Sequence, residues 1–81
     1  MLTTRYDRRA DVLYLARRPT SDAGGVMDDD GLIIRRSAGE VVGVTVLDFN
    51  EDWAERLQDL TTKLATALGV PPQEVSAALP H

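Results

Sequence analysis

Residues 41–60, VVGVTVLDFNEDWAERLQDL, change hydrophobic period partway along, and that change decides the fold. Val41 to Leu47 is dominated by β-branched residues, which suit a pleated, half-buried surface. Gly43 inside it suggests a bulge or a close approach by another backbone. After Asp48 the apolar residues Trp53, Leu57, Leu60, Leu64 and Leu68 recur every three or four positions, an apolar stripe along one helix face. Asn50 is a suitable N-cap, and Glu51 and Asp52 put negative charge in the first turn, where the helix dipole favours it. A strand ends here and a long helix begins.

Working toward the C-terminus, Gly69 follows the last leucine as a C′ residue and Val70-Pro71 stops the helix. Pro71-Pro72-Gln73-Glu74 opens a shorter helix to about Leu79, and Pro80 ends it. Toward the N-terminus, Leu2 to Tyr6 and Asp11 to Ala16 read as strands joined by the polar turn Asp7-Arg8-Arg9-Ala10. Arg17 to Gly25 is a loop, with Pro19, Thr20, Ser21, Asp22, Gly24 and Gly25. Val26-Met27 resumes extended structure before the acidic turn Asp28-Asp29-Asp30-Gly31. Leu32-Ile33-Ile34 is the next strand and ends in Arg35-Arg36. Ser37 to Glu40 is a hairpin connection in which Gly39 supplies positive φ.

Strands followed by helices without alternation predict an α+β fold. The expected architecture is an antiparallel three- or four-stranded β-meander followed by a long amphipathic helix and a short C-terminal helix. Residues 1–81 form a single domain in this reading, with a β-meander in 1–49 and a helical portion in 50–81. The leucine stripe covers one sheet face. Val, Leu and Ile on both strand faces then imply that a second subunit covers the other, so a homodimer is expected.

With 81 residues, such a domain buries only roughly 60% of the surface its unfolded chain exposes. It contains no cysteine, which removes disulfides, thiolate zinc sites and thiol catalysis. Short apolar runs rule out a spanning helix, and charges near the N-terminus do not fit a signal peptide; a cytoplasmic protein is expected. Through Leu47, seven arginines balance seven acids, so the net charge of −4 arises entirely beyond that point. Duplex-DNA binders carry a basic excess to neutralise phosphates, which makes a nucleic-acid partner unexpected here.

Tyr6-Asp7, three residues, then Asp11-Val12-Leu13-Tyr14-Leu15 resembles the opening signature of the YuzE-like family of small bacterial proteins, a domain of unknown function. Asp30-Gly31, the apolar strand after it, and Val42-Gly43-Val44 leading to Val46-Leu47-Asp48 are similar in order, so the resemblance covers residues 4–49. It implies a small α+β fold and no accepted activity. Arg35-Arg36-Ser37 departs from the pattern, and Asn50 to His81 lies outside it.

Tyr6, Asp7, Asp11 and Tyr14 form the core of that motif. Paired carboxylates can divide acid and base work if their surroundings split their pKa values, which would suit a weak metal- or nucleotide-dependent hydrolase. The plainer reading has Asp7 and Asp11 fixing the first hairpin by accepting backbone N–H bonds. The only histidine is His81, so no Ser-His-Asp set is available, and no phosphate-binding glycine loop is present.

Four arginines, Arg8, Arg9, Arg35 and Arg36, would meet at one end of a meander, because strand two would run beside strand three. Such forks match phosphate geometry and could bind an anion; nearby acids favour surface ion pairs instead. At the other end, Arg17-Arg18 would approach Asp28 to Asp30. The acidic turn offers oxygens to a cation, but it lacks the alternating spacing of a calcium loop and reads as a solvated turn.

Residues 56–79 have the pattern of a helix-turn-helix. The second helix lacks lysine and arginine, and Glu74 would repel phosphates, so a packing corner is the favoured reading. Phe49 and Trp53 are expected to seal the core where sheet meets helix. The chain therefore reads as an interaction or regulatory module that binds itself, with a protein partner as the further option, and with no catalytic residues, metal, cofactor or membrane contact expected. The alternative is an antitoxin-type DNA-binding regulator using 56–79.

Overall fold

The computed structural model describes residues 2–19 and 24–80; Thr20, Ser21 and Asp22 of the expected loop, and His81, lie outside them. The fold is α+β: five strands make one antiparallel sheet, followed by a long helix and a short C-terminal one. The strands are β1 (Thr3–Asp7), β2 (Val12–Ala16), β3 (Gly24–Met27), β4 (Leu32–Ser37) and β5 (Glu40–Leu47). The helices are α1 (Phe49–Trp53), α2 (Leu57–Leu68) and α3 (Pro72–Ala78). Among the described residues, no helix is long and apolar enough to cross a membrane.

The sheet has one strand more than the expected three or four, and its order is β1-β2-β5-β4-β3 rather than a meander. After β2 the chain passes to the far edge and returns through β4, so β5 closes the sheet against β2. The physical reason is burial. β2 and β5 are apolar on both faces, and side by side at the centre each has a neighbour on both flanks. A meander would have set β2 beside GGVM, which has little to bury.

One hydrophobic cluster joins Leu13, Leu15, Leu32, Val44 and Val46 of the sheet to α1, α2 and α3. Leu60 and Leu64 of α2 and Val75 of α3 are fully enclosed in it. The leucine stripe is shorter than its spacing predicts, because Leu57 is 37% exposed. The single long helix is instead two, broken at Ala54 to Arg56. α1 takes its direction from the end of β5 and α2 from packing on the sheet, so the chain turns between them. The Arg56 N–H donates to the Trp53 carbonyl in that turn, and the Arg56 guanidinium lies 4.3 Å from the Trp53 ring centre.

Two turns use unusual backbone. Ala38 and Gly39 both have positive φ (53° and 82°), the geometry a tight two-residue hairpin demands, though only glycine adopts it without strain. The register shift near Gly43 lies between Arg35 and Arg36, where β5 carries Val42 as an extra residue opposite β4.

Candidate functional site

The motif residues converge where the first hairpin meets the start of α1. Asp7 Oδ1 accepts the N–H groups of Arg9 (3.0 Å) and Ala10 (3.2 Å), so this carboxylate shapes the hairpin turn. Asp11 acts farther away. The Tyr6 hydroxyl donates to its Oδ1 at 2.6 Å, and the N–H groups of Asn50 (2.8 Å) and Glu51 (3.1 Å) donate to its two oxygens. Its own carbonyl accepts the N–H of Phe49 at 3.0 Å.

Asp11 therefore caps a helix that starts 38 positions later in the chain. The residue before α1, Asp48, is left-handed and makes no side-chain cap bond. Asn50, the expected cap, lies inside the helix and is itself capped. Asp11 adopts positive φ (56°), a conformation short polar side chains tolerate better than most. The Tyr6 ring meets Phe49 edge-on at 5.4 Å, and Phe49 and Trp53 are buried as expected.

The electrostatics follow from these bonds. Hydrogen bonds from Tyr6 and then from the Asn50 N–H hold the Asp11 carboxyl below its ordinary value of 3.8. Donation to that carboxylate, with desolvation, pushes the Tyr6 hydroxyl above its ordinary 10.0. A general acid and base working near neutrality need values drawn toward 7, and here both move away from it. This geometry pins a joint; it is poorly matched to proton transfer.

Tyr14 does not share this node. It lies on the opposite face of the sheet, where the Arg5 guanidinium sits 4.7 Å from its ring centre. Arg35 lies on the same outer face and donates Nε–H to the buried Thr45 hydroxyl at 3.1 Å. Arginine stems thus partly roof that face.

The expected four-arginine cluster does not form. Arg35 pairs with Gly43, and Gly43 pairs with Ala16, so Arg35-Arg36 lies at the Arg17 end of β2 and Arg8-Arg9 at the other end. Arg17 and Arg18 also have other partners than the acidic turn. Arg17 donates to the Leu68 carbonyl at 2.9 Å, putting a cation at the C-terminus of α2, which has no basic residue in its last turn. Arg18 pairs with Glu40 at 2.5 Å.

In the acidic turn, Asp28 Oδ1 accepts the N–H groups of Asp30 and Leu32, and Asp30 pairs with Lys63 at 2.9 Å. A shallow cleft of about 300 Å³ lies there against α2, with this ion pair in its wall. Among the described residues, no group of three or more His, Asp or Glu is placed to hold a metal ion.

α2 and α3 meet at Gly69, which is left-handed and donates its N–H to the Ala65 carbonyl at 2.9 Å. Val75 and Leu79 are buried, and Glu74 is the only charged residue of α3.

An antiparallel sheet backed on one face by helices, its first hairpin tied to the helical layer by a tyrosine–aspartate pair, defines a small α+β class. Residues 3–50 match the family described as protein of unknown function (DUF2283), and the chain belongs to that family. The matched segment ends at Asn50, so it contains the Tyr6–Asp11 pair and most of what that pair holds. The chain matches no curated protein and no solved structure.

Proposed function

We propose that this chain is a small cytoplasmic interaction or regulatory module, homodimeric and without catalytic activity, of the YuzE-like kind. One observation carries the reading. The motif carboxylates are occupied by donors from the chain itself, whereas large apolar side chains face solvent at Val26 (66% exposed) and Met27 (56%). Exposed apolar side chains in so small a chain suit a binding surface better than a reaction centre.

Light scattering across a tenfold concentration range tests this, with a mass of twice the chain expected at the upper end. A monomer throughout removes the homodimer. The second reading, an antitoxin-type DNA-binding regulator, is supported by the α2–Gly69–α3 corner and opposed by the charge of α3. Retardation of mixed DNA fragments at low salt would favour it.

A further inference from the structure

We infer that the outer edge of β3 joins a second copy of this chain, antiparallel and across a twofold axis, making one ten-stranded sheet. The inference rests on the homodimeric reading above and names the surface. Among the described residues β3 pairs only with β4, and no other strand lies along its outer side. Sheet edges are usually protected by lysine, proline, inward charge or a covering element. β3 reads GGVM, uncharged, and all four residues are exposed. The opposite edge differs: β1 carries Arg5 at its centre and Asp7 at its end.

What fits the β3 edge is set by charge. Its C-terminal end runs directly into Asp28-Asp29-Asp30. At its N-terminal end, Gly24 and Gly25 lie beside Arg36 and Arg35 of β4. Arg36 makes no ion pair among the described residues and is exposed, and neither glycine has a side chain to stand between β4 and an arriving strand. An antiparallel second copy brings the acidic end of each β3 to the basic end of the other, twice by symmetry. A parallel copy would oppose like charges. Val26 and Met27 of the two copies then cover one another along the middle of the seam.

A seam of four residues a side is smaller than a standard protein interface, so the dimer is expected to be weak and concentration-dependent. Salt should weaken it further, because exposed charges are screened.

The test compares sedimentation of the full chain with three sets of variants, each checked by circular dichroism. Val26→Lys should give monomers where the parent is dimeric, with unchanged helix and strand content. Asp29→Arg and Arg36→Glu should each raise the dissociation constant about tenfold or more, equivalent to ~1.4 kcal/mol. Combined in one chain they should restore it. A dimer that survives Val26→Lys, or a double variant no tighter than the singles, overturns the β3 seam while leaving the homodimer standing. A parent chain that never dimerises overturns both.

Discussion

β2 and β3 are short strands of one sheet, and their surroundings could hardly differ more. β2 is flanked on both sides, and each end carries a residue that completes a distant helix. Asp11 before it supplies an anion to the N-terminus of α1, and Arg17 after it supplies a cation to the C-terminus of α2. Among the described residues β3 has one neighbouring strand, and it contains no buried residue and no charge. Within one small sheet, the side that holds the fold together is separate from the exposed edge to which the proposal above assigns a second copy.

The sharpest way to break that contrast is to cut into the β2 side. Leu13→Ala removes a fully enclosed side chain from the central cluster and should cost about 2–5 kcal/mol in denaturant unfolding, as should Leu60→Ala on α2. So large a loss would approach the whole stability of a domain this small. A cost under about 1 kcal/mol at either position would show that the cluster does not carry the fold.

The Tyr6–Asp11 joint comes next, and it is pH-dependent. The Asp11 pKa is lowered on folding, so its contribution is complete above the ordinary 3.8 and is lost as pH falls through the folded value beneath it. The Tyr6 pKa is raised, so its contribution is complete below 10.0 and is lost as pH rises through the folded value above it. Melting curves of the parent and Tyr6→Phe should therefore differ by a constant amount near neutrality and converge at both extremes. A difference that persists undiminished in strong acid would mean that the hydroxyl's contribution does not depend on the ionised Asp11 carboxylate.

The smallest effect belongs to the open edge. Val26→Lys should change monomer stability by no more than about 0.5 kcal/mol, since the side chain it replaces faces solvent. A substantially larger loss would place Val26 in the fold and erase the distinction between the two strands.

Much of this was legible from local pattern. The switch of period at Asp48, the turns at Asp30-Gly31 and Ala38-Gly39, and the helical corner at Gly69 each depend on a few adjacent residues, and each appears near its expected position. Strand order was not legible, because β2 reads equally well beside either apolar strand that follows it. It took the competition for central positions to pair β2 with β5. The Asp11 cap was hidden for a similar reason: its partners lie about forty positions away, while Asn50 offered a plausible local substitute. The break before Leu57 followed from that same joint, which aims α1 along its own axis.

Caps borrowed from the sheet also constrain the order of events during folding. A helix that carries its own cap can begin to form while the rest of the chain is loose. Here α1 lacks one until the first hairpin has docked against the end of β5, and the last turn of α2 gains its cation only from the far end of β2. Both helices should therefore mature late, after the slow long-range pairing of β2 with β5, so that strand pairing rather than helix nucleation sets the pace.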